Sequence, residues 1–175
     1  MNEKEAIERA TADAFIVLYN TQMGTSFVIL EHSDAPDFLC KDPAGNVFNF
    51  EVTLTEDHRG DVKAALGRSN HRSPEALKKH LSDVEAGRAH PMEWTSCLQG
   101  NVAGNMVRCI QKKLTKDYGP NVALVVRDTS GCDWDWDSVA DQIKHDHNFE
   151  LNPFDKGIWV ISRSKDRITC LSGNW

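Results

Sequence analysis

Two short segments carry the residue types best suited to chemistry: Pro36-Asp37 and, further along, Glu51-Val52-Thr53. Between them lies Asp42-Pro43-Ala44-Gly45-Asn46, where proline presets the first turn residue and glycine can take the left-handed position, as in a hairpin loop with a glycine bulge. A loop that closes with Asp42 opposite Asn46 sets Lys41 against Val47, Leu39 against Asn49 and Asp37 against Glu51. Side chains alternate along a strand, so Asp37, Glu51 and Thr53 share one face while Phe38, Phe50, Val52 and Leu54 point to the other. Carboxylates placed opposite each other destabilise a sheet unless something neutralises them. A divalent cation does so. Mg²⁺, with Mn²⁺ as the alternative, takes one or two carboxylates together with waters and a substrate phosphate, and the backbone carbonyl of Val52 offers one more oxygen. The plainer reading of the same residues is a pair of acids solvated at a strand edge.

The elements that must position this hairpin are legible around it. Ile7, Ala10, Ala14, Val17 and Leu18 recur at helical spacing and predict an amphipathic helix over residues 2–20. Ser26 to Glu31 predicts a buried strand, and the hairpin supplies two more strands, over 37–41 and 47–54. From Ser96 to Tyr118 the stripe Ala103, Val107, Ile110 and Leu114 predicts a long helix, stopped by Gly119-Pro120. Asn121 to Arg127 predicts a buried strand, Asp137 to His145 a helix, and Gly157–Ser162 with Arg167–Leu171 a final pair of strands. The expected fold is α/β, a mixed sheet with helices packed on it, in a single domain spanning residues 1–175. Gly-rich phosphate-binding loops and nucleophile-elbow motifs are missing from the sequence, so nucleotide-cofactor folds lose most of their weight and no signature argues for covalent catalysis.

Residues 57–95 lack strand character and predict a basic, partly helical insertion, with a helix opening at Ser73-Pro74-Glu75 and closing at Gly87. The formal net charge of −6 is unevenly spread. Between His58 and His80 six basic residues stand against two acids, a local +4 that leaves −10 on the rest of the chain. Arg59, Arg68, Arg72, Lys78 and Lys79 are therefore the candidates for contacting nucleic-acid phosphates, whether DNA or RNA. Ordinary solvated surface charge is the competing account. His58, His71, His80 and His90 show no metal-ligand spacing. The tryptophans of Asp133-Trp-Asp-Trp-Asp137 read as packing anchors, because the flanking acids would repel a phosphate backbone. The five cysteines are odd in number and contain no Cys-x-x-Cys pair, so they read as free thiols rather than as disulfides or a zinc ribbon. No apolar run reaches the roughly 18 residues of a membrane span, and the expected location is cytoplasmic without a membrane partner.

The order of helix, strand, Pro-Asp strand, Glu-x-Thr strand, long helix and strand resembles the αβββαβ core of the PD-(D/E)XK nuclease-like superfamily, the restriction-endonuclease-like fold. Ile110–Tyr118, Asn121–Val126 and Phe154–Val160 resemble the second core helix, fourth strand and a later strand of poorly characterised bacterial members. The resemblance implies a hydrolase that cleaves phosphodiester bonds of DNA or RNA with magnesium, Asp37 and Glu51 being the metal ligands. It implies a lysine at the position of Thr53, and threonine cannot supply that charge. Some members take the lysine from the second core helix. Here Lys113 extends the row Val102, Met106, Cys109 at the edge of the buried face, whereas Lys112 follows the outward row Asn101, Asn105, Arg108. The resemblance also implies an additional acid on the first helix, for which Glu8, with Glu5 as the alternative, is the candidate; solvated helix charge is the plainer reading. The alternative is a degenerate, non-cleaving module that binds nucleic acid or a protein partner; a homodimer is left open.

Overall fold

The computed structural model describes residues 3–55, 82, 86–87, 102–128, 135–149, 152–162 and 164–173. Helix α1 (Glu3–Met23) leads into strands β1 (Val28–His32), β2 (Phe38–Lys41) and β3 (Val47–Leu54). Helix α2 (Val102–Leu114), β4 (Val122–Arg127), α3 (Trp136–Asp146), β5 (Ile158–Ile161) and β6 (Ile168–Ser172) follow. The six strands form one mixed sheet in the order β1-β2-β3-β4-β5-β6. The outer pairs are antiparallel, while β3, β4 and β5 run parallel to one another.

Alternation along these strands sorts the core into two layers. On one face Phe38, Phe48, Phe50, Val52, Val125, Trp159 and Ile161 pack against α1. On the other, Leu124, Val126, Ile158 and Val160 pack against Met106, Val107 and Ile110 of α2 and Ala140 and Ile143 of α3. Strand β4 is buried on both sides, as a continuous Val-Ala-Leu-Val-Val run requires at the centre of a parallel sheet.

The hairpin loop closes as its chemistry dictates. Asp42 N–H donates to Asn46 O at 3.1 Å, Gly45 N–H donates to Asp42 O at 3.0 Å, and Gly45 takes a φ of +87°. The Asp42 carboxylate adds bonds from the Asn46 backbone (2.8 Å) and side-chain amide (2.7 Å).

Three expectations need correction. The buried face of α1 is Glu8, Thr11, Ala12, Phe15, Ile16 and Tyr19, whereas Ala10 is exposed and Val17 is 63% exposed. Two polar residues on the inward stripe shifted the apparent phase. Thr11 is tolerated there because its hydroxyl donates to Ile7 O at 2.8 Å. Strand β1 is not buried: it is a sheet edge, with Val28 and Leu30 more than half exposed. Its apolar composition marks it as a strand but not as a central one. Helix α2 ends at Leu114 rather than Tyr118; just beyond it the Thr115 hydroxyl donates to the Lys112 carbonyl and Lys116 N–H donates to that of Lys113.

The expected insertion over 57–95 lies outside the described residues apart from positions 82 and 86–87. Among the described residues Cys40, Cys109 and Cys170 form no disulfide, and no helix is long and apolar enough to cross a membrane.

Candidate functional site

The hairpin register sets the site. Phe38 pairs with Phe50, Leu39 with Asn49 and Lys41 with Val47, so one further step brings Asp37 to Glu51. Asp37 N–H donates to Glu51 Oε2 at 3.2 Å, and Val52 N–H donates to Asp37 Oδ2 at 2.8 Å. The Asp37 carboxylate thus takes over a backbone donor of β3 just where pairing with β2 stops. Its other oxygen, Oδ1, has no hydrogen-bond partner among the described residues.

Glu51 is only 4% exposed because its face of β3 lies beneath α2. Lys113, in the last turn of that helix, places Nζ 2.6 Å from Glu51 Oε1, with 22% of its side chain exposed. The Tyr118 hydroxyl donates to the same oxygen at 3.3 Å. Lys112, one position earlier, is exposed. Glu8 is buried on α1 at 7% exposure and adds to the negative charge around Asp37.

Asp37 pays electrostatically for this position. Burial pushes its carboxyl up from the ordinary 3.8 to about 6; Glu51 and Glu8 push the same way, while the Val52 N–H and Lys113 oppose them. The Tyr118 phenol is held well above its usual range, first by burial and then by the charge and hydrogen bond of Glu51, so it remains a donor at neutral pH.

The structure therefore brings Asp37, Glu51, Val52, Lys113 and Glu8 together. Thr53 lies two residues beyond Glu51 on the same strand face and is partly buried; it makes no side-chain hydrogen bond among the described residues. Arg59, Arg68, Arg72, Lys78 and Lys79 lie outside the described residues. Sequence reasoning missed Tyr118 as part of the site and treated it as the end of a helix. The Gly119-Pro120 stop marks a change of direction there, but nothing local says that the ring turns inward.

Chemically, the group is a pair of oxygen-rich side chains with one fixed ammonium. Among the described residues no cluster of three or more His, Cys, Asp or Glu side chains is arranged to hold a metal. A hard cation that keeps most of its waters needs only one or two carboxylates. The free Oδ1 and the excess negative charge at Asp37 fit such an ion. Comparison with known proteins finds no matching family model, no matching curated protein and no matching solved structure.

Proposed function

We propose that the chain is a magnesium-dependent, nuclease-like hydrolase that cleaves phosphodiester bonds of DNA or RNA. The reading takes α1, β1, β2, β3, α2 and β4 as a restriction-endonuclease-like αβββαβ core. One observation carries it: Lys113 of α2 reaches Glu51 beside Asp37, supplying from a helix the cation that Thr53 cannot supply from the strand.

Asp37 and Glu51 would hold Mg²⁺ or Mn²⁺, with the Val52 carbonyl as a further oxygen. Bound there, the ion supplies Lewis-acid polarisation of a phosphoryl oxygen and a more acidic water. The chain's own residues do the rest. Lys113 pairs with Glu51 at 2.6 Å and places positive charge where a phosphodiester gains negative charge, an effect worth several kcal/mol in a dry site. Asp37 is tied through Oδ2 to the Val52 N–H, which leaves Oδ1 without a hydrogen-bond partner among the described residues. The nucleic-acid partner is supported by the basic stretch containing Arg59, Arg68, Arg72, Lys78 and Lys79, through phosphate contacts that weaken steeply with salt.

A second reading, a non-cleaving nucleic-acid or protein-binding module, is favoured by one feature: both Glu51 oxygens already accept hydrogen bonds. Cleavage assays separate the two. Purified protein should cut single- or double-stranded DNA or RNA with Mg²⁺ or Mn²⁺. Lys113→Met should abolish cutting but keep substrate binding, and Thr53→Lys should raise it. Silence of both the wild type and Thr53→Lys on all four substrates leaves the binding module.

A further inference from the structure

Glu51 is gripped from three separate elements. Lys113 comes from α2, the Asp37 N–H from the start of β2, and the Tyr118 hydroxyl from the connection between α2 and β4. The three donors divide the carboxylate unequally: among the described residues Oε1 receives Lys113 and Tyr118, while Oε2 receives only the Asp37 N–H. A lysine alone grips loosely, since an ammonium on a four-carbon stem can follow a swivelling carboxylate. A phenol on a packed ring cannot follow it.

Tyr118 is such a ring. It is buried, and its centroid lies 5.2 Å from that of Phe154. Both rings belong to the core layer that includes Val122, Leu124 and Ile158. The backbone beside it is also fixed: Asp117 accepts the Gly119 N–H at 2.9 Å, and Gly119 turns the chain into β4 with a φ of +76°.

We infer that Tyr118 is a positioning residue for Glu51: with Lys113 it commits Oε1 to the α2 side and leaves Oε2 as the oxygen presented toward Asp37. The contact itself is independent of the proposed metal site; its effect on a bound ion rests on that reading. A divalent ion should therefore meet one oxygen of Glu51 on the Asp37 side rather than both.

The test compares wild type with Tyr118→Phe, which keeps the ring and removes the hydroxyl. Two measurements are made on each protein: Mn²⁺ affinity by calorimetry, and the metal-free amide resonance of Asp37, whose N–H reports where Glu51 Oε2 points. The inference expects Mn²⁺ binding roughly tenfold weaker in the variant, together with a displaced and faster-exchanging Asp37 amide at unchanged overall fold. An unchanged Asp37 amide with unchanged Mn²⁺ affinity overturns it. Wild type that binds no Mn²⁺ sinks the metal reading instead, and the Asp37 amide alone then decides the role of Tyr118. Should Tyr118→Phe not fold, 3-fluorotyrosine can be incorporated at both tyrosines of the otherwise native chain. The Tyr118 fluorine resonance should then move on Glu51→Gln while that of Tyr19 stays. A Tyr118 resonance indifferent to Glu51→Gln overturns the inference equally.

Discussion

The two ends of one hairpin each carry an aspartate, and they put it to opposite use. At the loop, Asp42 is solvated and bonded to its neighbours; the Asn46 side chain, then the surrounding backbone N–H groups, hold its carboxyl below the usual range. At the base, Asp37 is bonded to a residue on the facing strand, is partly buried, and is pushed up to about 6. The loop aspartate is placed where its charge is comfortable and serves the turn. The base aspartate sits where its charge is costly unless a cation arrives, and such costs cluster at functional sites.

The sharpest way to break this contrast is to remove the cation the base already has. Lys113→Met leaves Glu51 buried and without its ion-pair partner, and should lower stability by about 2 kcal/mol, less than for a fully enclosed pair because Lys113 keeps some solvent. Urea unfolding reads this, and adding Glu51→Gln should recover much of the loss.

Next in size is Asp37→Asn. Between the ordinary 3.8 and about 6 the folded protein holds a proton on Asp37 that the unfolded chain releases. Wild-type stability should therefore fall as pH rises through that window and level off above it. The asparagine variant escapes this penalty. It should be more stable than wild type by about 1 to 2 kcal/mol above pH 6, after discounting for partial exposure, with the advantage vanishing toward pH 4. Equal unfolding midpoints at pH 4.5 and 7.5 would contradict the buried-acid account. In the same variant Mn²⁺ affinity should drop, so stability and metal binding move in opposite directions.

Asp42→Ala should do less and do it differently. Its carboxyl is depressed, so the stability it contributes is present at neutral pH and is lost on acidification through its own range. A modest fall in Tm at pH 7, shrinking at low pH, with unchanged Mn²⁺ affinity, is the expected pattern. Smallest of all, Lys112→Met should change stability by no more than about 0.5 kcal/mol, because it removes an exposed charge one residue from the one that matters.

The same contrast explains what the sequence disclosed. The loop could be read directly because Pro43, Gly45 and Asn46 act on their immediate neighbours, and correct turn chemistry propagated the register to Asp37 and Glu51. Lys113 was accessible through helical geometry, since a row containing Met106 and Cys109 leads to it. Helix α1 resisted because Glu8 and Thr11 lie on its buried stripe; the Thr11 hydroxyl is satisfied by Ile7 O one turn back and by Arg127, 116 positions away, and no periodic pattern announces either. Strand β1 resisted because apolar, β-branched residues suit an edge strand as well as a central one. Tyr118 resisted most, since its partner Glu51 is 67 positions away and no periodic pattern links the two.

The central claim is that Asp37 and Glu51 form one cation site served by Lys113. The most direct measurement is a crystal of the protein soaked in Mn²⁺, with anomalous data collected to locate the ion. The account predicts a peak within about 2.1 to 2.3 Å of oxygens from both Asp37 and Glu51, lost in Asp37→Asn. A peak elsewhere, or none at this pair at millimolar Mn²⁺, would contradict it.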